Sequence, residues 1–333
     1  MKNIKRVLLG FVSSIVVAAT PLLASAHVGY VLDHDDFVSH EGSDMHFLIS
    51  GVTDAPLSVL IAGLVTLAVV GAIIYWRTRP RSKVLLARVI EKLSSYTELL
   101  SWMARLSLGI ALIGAGTANV FVSPVLMGTP MIGFIEIILG FLFLLGFLLP
   151  FAYVGSIALF FAGVVHSNYV FGNMDFLALV VSALLLESAR PGLDDILNIT
   201  QFSLGEKARE LVPLVLRFGL GIAFIFLAVY EKFMNPHDSA LVVQMYHLTN
   251  VIPVSPALWV LGAGIVEFLL GVLLIIGFEI RLVAIVSFVV ISLSFFYFKE
   301  SVYSHVTLFG AISMLVVTGA GKYSVDRMLK NKA

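Results

Sequence analysis

The sequence predicts an all-α, polytopic membrane protein: two parallel-repeated four-helix bundles preceded by one transmembrane helix. Three observations carry this expectation. The first is composition: of 333 residues, 59% are hydrophobic and 13% charged, with a mean hydropathy of +1.01. Soluble domains carry about a quarter charged residues, so too little polar surface remains to coat a water-soluble globule. The second is the recurrence of apolar runs near the 20-residue length that crosses the hydrocarbon core. The third is an Arg, Glu and Gly pattern that appears twice. The formal net charge of zero provides no global attraction to nucleic acid. The absence of cysteine removes disulfides, thiolate metal sites and any dithiol relay carried by the chain itself.

Taken in order, Lys2, Lys5 and Arg6 precede an apolar stretch from Val7 to Leu23 that ends in Ala24-Ser25-Ala26. Basic start, apolar stretch and small-x-small cut site predict a signal peptide over 1–26; the alternative is an uncleaved first helix. Residues 27–54 then form an acidic, histidine-bearing outside segment, too short to bury a core of its own. A transmembrane helix and a basic cytoplasmic linker occupy 55–100. Spans are expected at 57–76, 102–122, 130–149, 151–170, 176–190, 213–232, 257–278, 281–299 and 304–320, the fifth and ninth being short. Positive charge near span ends is retained in the cytoplasm. Anchored on Arg77, Arg79, Arg81 and Lys83, nine spans place Arg190, Lys207, Arg209, Arg281, Lys322, Arg327, Lys330 and Lys332 inside. Only Lys232 and Lys299 fall outside. The expected cell-membrane protein has its mature N-terminus outside and its C-terminus in the cytoplasm.

The repeat is visible in polar and small residues, where chance similarity between apolar stretches is weakest. Arg105-Leu-Ser-Leu-Gly109-Ile110-Ala111 matches Arg217-Phe-Gly-Leu-Gly221-Ile222-Ala223. Glu136-Ile-Ile-Leu-Gly140, followed by Gly146-Phe147, matches Glu267-Phe-Leu-Leu-Gly271, followed by Gly277-Phe278. An extra outside loop between Phe233 and Pro256 lengthens the second copy, and each copy closes on an Asp-bearing segment that contains Asp194 or Asp326. The units are 101–200 and 213–333 (the latter with the cytoplasmic tail), joined by a cytoplasmic linker at 201–212. Both begin inside and contain four spans, so they run parallel, related by an axis along the membrane normal.

The second copy reads Arg217-x3-Gly221, Tyr230-Glu231-Lys232-x3-Pro236, Glu267-x3-Gly271, Gly277, Arg281, a late His305 and a closing Gly-Lys-Tyr-Ser-x-Asp. This order resembles the DoxX family of small four-helix bacterial and archaeal membrane proteins. The first copy departs from it, with Asn119 in the Glu231 register and Pro150 in the Arg281 register. The resemblance implies a four-helix membrane unit and, because some relatives are similar to thiosulfate:quinone oxidoreductase subunits or associate with redox enzymes, quinone-linked metabolism. Fold similarity alone does not transfer an activity.

Glu136 and Glu267 are candidate catalytic groups. A carboxylate at bilayer depth costs a few kcal/mol and suits a proton acceptor or a hydrogen-bond partner for a quinone; the bland alternative is a structural interhelix bond. Glu231, Lys232 and His305 are candidates for cofactor binding. Adjacent helix residues do not share a face, so one of Glu231 and Lys232 is expected inside the bundle and the other at lipid head groups. Arg105 and Arg217, at inner span starts, are expected to snorkel to phosphates. His166 and His305, with His237 and His247 from the long loop, suggest an outward polar pocket. If cleavage exposes His27, its amine and imidazole suit copper, with His34, His40 and His46 as further donors. No zinc spacing is present.

Two classes of function follow. One is a quinone-engaging component of membrane redox metabolism that works with a membrane-associated oxidoreductase. The other is a non-enzymatic scaffold or carrier linked to metal handling or stress response. Both place the chain in the lipid bilayer, and neither involves nucleic acid.

Overall fold

The computed structural model describes residues 28–31, 42–186, 190–199 and 204–330. The expected signal peptide, and His27, His34 and His40, lie outside the described residues. The principal helices are α1 Met45–Thr53, α2 Pro56–Thr78, α3 Pro80–Ser94 and α4 Leu100–Ala118. A short hairpin follows, β1 Val120–Phe121 and β2 Ser123–Met127, paired antiparallel. Then come α5 Pro130–Leu145, α6 Leu149–His166, α7 Met174–Leu186, α8 Val212–Leu227, α9 Pro236–Met245, α10 Pro256–Ile276, α11 Ile280–Phe298 and α12 Val302–Thr318. A π-helical turn, Ala228–Met234, joins α8 to α9.

Among the described residues, six helices are long and apolar enough to cross a membrane. They become seven if α1 and the first part of α2, bent by 81° where they meet, count as one span. The chain is a multi-pass membrane protein. Helices α5 and α12 are apolar but shorter.

Several boundaries differ from expectation for local reasons. The span expected at 102–122 ends at Ala118, because Asn119 turns left-handed (φ 53°) and its N–H bonds back to the carbonyls of Ala115 and Gly116. The span expected at 130–149 ends at Leu145, because Gly146 (φ 60°) closes the helix. The short fifth span gains length from a 3-10 turn over Asn168–Asn173 that runs into α7. Part of the expected polar segment 27–54 is the apolar helix α1, capped by Asp44, whose side chain accepts from the Phe47 N–H.

The chain divides into two compact units, residues 1–92 with 228–266, and residues 93–227 with 267–333. In the second unit α4 packs along α5, α12 along α4, and α7 along α8. Leu108, Leu112, Leu179, Leu216, Leu220 and Leu315 are fully buried there. Lipid tails are as apolar as leucine, so close van der Waals packing rather than water exclusion holds such helices together. Glycines allow that approach. A Cβ on Gly140 would fall 2.8 Å from the Gly109 carbonyl oxygen, and one on Gly271 would fall 2.7 Å from that of Gly221.

In the first unit, α1 meets the start of α10 equally closely: a Cβ on Gly51 would lie 2.7 Å from the Leu258 nitrogen. The first turn of α9 braces the start of α1. His237 Nε2 is 3.0 Å from Asp44 Oδ2, and its ring lies 4.8 Å from that of Phe47.

Candidate functional site

The π-helical turn places the most unusual side chains of the first unit. Widening a helix by one residue per turn shifts the faces that follow, and such turns occur frequently at functional sites. Glu231 and Lys232 both sit in this turn and both are buried, each 1% exposed. Lys232 Nζ donates to Glu231 Oε2 in a short ion pair. The expectation that one of them reaches lipid head groups is therefore overturned. The turn does not follow the α-helical spacing on which that expectation rested, and the lysine stem is long enough to bring its ammonium back to the neighbouring carboxylate. The Ser239 hydroxyl donates to the Glu231 carbonyl at 2.8 Å, tying α9 to the turn. Asn235 does the same through its side chain, which donates to the Tyr230 carbonyl at 3.0 Å.

Lys232 and Ser239 form the polar wall of a narrow cavity. Val242, Val243, Leu248, Val260 and Ala263 supply apolar walls, together with Trp259 and with Val28 from the short helix Val28–Val31. Trp259 is held in place by its indole N–H, which donates to the Ile252 carbonyl at 3.1 Å. Lys232 and the Trp259 ring thus line one narrow, largely apolar space, with the Glu231 carboxylate bonded to the lysine behind it, and a hydrogen bond to a ligand in such surroundings counts for more than in water.

A second polar group forms within the other unit, where α12 begins. His305 is buried, its Nε2 3.1 Å from Glu300 Oε2. The approach is that of an ion pair without a well-aligned hydrogen bond, since Glu300 Oε2 has no hydrogen-bond partner among the described residues. Ser294 donates to the other Glu300 oxygen at 3.1 Å, and Ser304 Oγ lies 2.8 Å from His305 Nδ1. Asp175 on α7 is buried beside Thr307. Ser304 and Thr307 line a second narrow cavity with Asn173, Tyr303 and Val122. Glu300 had no place among the candidates, because a carboxylate just past a helix end reads as a wet loop residue. By contrast with His305, the other histidines of the expected pocket, His166, His237 and His247, are exposed.

Glu136 and Glu267 are both buried, at 0% and 5% exposure. The role of Glu136 is visible: it accepts from the Val122 N–H at 2.9 Å. Val122 turns the hairpin with φ 58°, an outlier for a β-branched residue, and the carboxylate holds that turn in place. The second oxygen of Glu136 has no hydrogen-bond partner among the described residues.

Arg105 and Arg217 do not snorkel. They are 1% and 2% exposed, and they bond to backbone carbonyls left over where the chain turns. Arg217 donates to Leu274 at 2.9 Å, to Ala320 at 2.8 Å, to Tyr323 at 2.6 Å and, through a short bond, to Ile275. Arg105 donates to the Pro191 carbonyl. A guanidinium has five donors in a fixed fork, which suits a helix C-terminus that exposes several acceptors.

Next to each arginine lies an aspartate whose role the sequence did not reveal. Asp194 accepts from the N–H groups of Leu148 at 2.9 Å and Leu149 at 3.1 Å. Asp326 accepts from Glu279 at 2.7 Å and Ile280 at 3.2 Å. The backbone N–H of Asp194 returns to the Gly146 carbonyl, and that of Asp326 to the Gly277 carbonyl. Each aspartate caps the start of a helix, α6 or α11, just after a left-handed glycine ends the one before.

No group of three His, Asp or Glu side chains able to hold a metal ion occurs among the described residues. His46, the described member of the copper candidates, is exposed on α1.

Residues 212–300 match the DoxX family model. The match runs from the start of α8 to Glu300, taking in the π-helical turn, α9, α10 and α11, and stops before α12. No curated protein and no solved structure matches the chain.

Proposed function

We propose that this multi-pass protein is a DoxX-like component of quinone-linked redox metabolism, built from a duplicated four-helix unit and working beside a membrane-associated oxidoreductase. The observation that carries the quinone reading is the buried Glu231–Lys232 ion pair, whose lysine lines a narrow cavity together with Trp259. Taking two charges out of water costs several kcal/mol each, so a buried pair is weak evidence of a purely stabilising role, and ionisable residues at membrane depth point to function. The cavity as it stands, about 10 Å³, has room for a single water, so Trp259, Val242 and Val260 must part to admit a quinone ring, whose carbonyl oxygen then accepts from Lys232. Reduction of a quinone to its quinol takes up two electrons and two protons. The partner oxidoreductase supplies the electrons. The Glu231–Lys232 pair would pass one proton to the quinone oxygen nearest Lys232 and regain it from water, and the other oxygen would take its proton from water.

Duplication is supported by contacts that repeat with an offset of 112 residues before the extra loop of the second copy and 131–132 after it. Gly146 and Gly277 end helices, Asp194 and Asp326 cap the next ones, and the Gly109–Gly140 and Gly221–Gly271 approaches match in distance. The proposed orientation, C-terminus in the cytoplasm, rests on the Lys and Arg distribution. Lys232 and Lys299 are its two exceptions.

Extraction of the purified protein, followed by the ultraviolet difference spectrum on borohydride reduction, tests the function. Quinone should accompany the unmodified chain and be lost from Lys232→Met at unchanged helicity; equal or absent quinone in both overturns the reading. Reporter fusions after Arg81, Gly192 and Lys330 should read cytoplasmic, and fusions near Asp44, Met245 and Ser301 outside. An outside reading at Gly192 removes the parallel two-bundle arrangement.

A further inference from the structure

We infer that α3 is an interfacial helix that lies on the bilayer and binds anionic phospholipid. It stands outside both the family match and the site proposed above. Its sequence, Pro80 to Ser94, carries Arg81, Lys83, Arg88 and Lys92 against a single acid, Glu91. At 3.6 residues per turn, Leu85, Leu86, Val89, Ile90 and Leu93 fall on one arc of about 140°. Arg81, Arg88 and Lys92 border one edge of that arc and Lys83 the other, while Glu91 falls on the opposite side. Apolar face, cationic borders and modest overall hydrophobicity are the features of a helix that lies in the membrane plane.

The structure adds two observations. Leu85 and Val89, on the apolar arc, are exposed, as are Arg88 and Lys92 on its border. The helix also begins at the end of a membrane-length helix. α2 runs 23 residues to Thr78, and the Arg79 guanidinium sits 4.3 Å from the centre of the Tyr75 ring. Tyrosine and arginine collect at the membrane–water boundary, so α3 starts at that boundary, one residue after this pair. The surface within reach is the lipid head-group layer, and the charge that complements four cations around an apolar strip is that of acidic phospholipid. Each lysine or arginine near such a surface contributes about 1 kcal/mol, roughly a fivefold gain in local partition.

The chain has no cysteine, so single cysteines can carry nitroxide labels without background. The full chain is labelled in turn at 84, 85, 89, 91 and 93. It is reconstituted in vesicles of phosphatidylcholine alone and of phosphatidylcholine with one-quarter phosphatidylglycerol. Accessibility to oxygen, which concentrates in lipid, is compared with accessibility to a water-soluble nickel chelate. In the anionic vesicles, labels at 85, 89 and 93 should report lipid, and those at 84 and 91 water. Removing phosphatidylglycerol should shift the first three towards water severalfold in their accessibility ratio. Arg88→Gln with Lys92→Gln should produce the same shift in anionic vesicles.

Uniform water exposure along α3 overturns the inference, as does a pattern indifferent to lipid charge. Labels at 85, 89 and 93 shielded from both reagents would also overturn it, because that face would then be covered by protein, whether a second copy or a partner. The lipid comparison uses no charge variant, so a variant that fails to fold does not rescue the idea.

Discussion

Glycine-to-alanine substitutions at the two helix crossings test the packing most directly. In Gly271→Ala the new methyl lies 2.7 Å from the Gly221 carbonyl oxygen and 2.7 Å from Ile225 Cγ1. In Gly140→Ala it lies 2.8 Å from the Gly109 oxygen and 2.7 Å from Ile113 Cγ1. Ordinary contact is near 3.5 Å, so each pair of helices must separate by about 0.8 Å, a gap that forfeits a quarter to a half of the dispersion at each contact. Overpacking of this kind costs about 1–3 kcal/mol. Alanine recovers about 1 kcal/mol of helix propensity, which leaves a net loss of up to about 2 kcal/mol. Gly63 and Gly71 on α2 are the controls. Among the described residues nothing lies within 4 Å of a methyl at either site, so alanine there should be neutral or stabilising by up to about 1 kcal/mol. The measurement is the midpoint of unfolding as dodecyl sulfate is titrated into mild-detergent micelles, followed by circular dichroism. Gly271→Ala and Gly140→Ala should shift it down together. If they behave like Gly63→Ala, the close helix approach is wrong.

Glu231→Gln and Lys232→Met should each destabilise by about 3–5 kcal/mol, because each leaves its partner buried and uncompensated. Glu231→Leu combined with Lys232→Met should recover most of that loss, and a fully additive double-mutant cycle would show that the two side chains do not depend on one another. Asp326→Ala and Asp194→Ala should each cost about 0.5–2 kcal/mol, the usual range for a lost helix cap. Comparable losses are expected at both sites in the same detergent titration, and an effect at only one of them breaks the equivalence of the two corners. The Asp44 carboxyl is held below its ordinary value of 3.8 by the Phe47 N–H and by His237. A lowered folded value means that the stabilisation is present above about pH 4 and is lost as pH falls through the folded value. The hydrogen bond to Asp44 also occupies His237 Nε2, so modification of His237 by diethylpyrocarbonate should be faster in Asp44→Asn than in the unmodified chain at the same pH. Equal rates would remove the pair.

The sequence alone determined that the chain crosses a membrane several times, where its main helices lie, and which residues recur. Those features are written in local terms: apolar length, basic flanks, and glycines spaced along helices. The resemblance that rests on Arg217, Glu231, Lys232 and Glu267 likewise needed no coordinates, and the family match falls on that copy.

What tertiary structure decided was where each polar group finds its partner. Arg217 looked like a lipid-facing arginine until its carbonyl acceptors, up to 106 residues away in sequence, were in place. Glu231 and Lys232 looked divergent because helical spacing was assumed, and a π-helical turn breaks that spacing without a signature in residue type. Asp194 and Asp326 were legible as the acids that close each copy but not as helix caps, and no sequence feature singled out Glu300. Local sequence records what a residue is and which neighbours it has in the chain. The cost of burying a charge is offset by groups brought close through folding, and that pairing exists only in three dimensions.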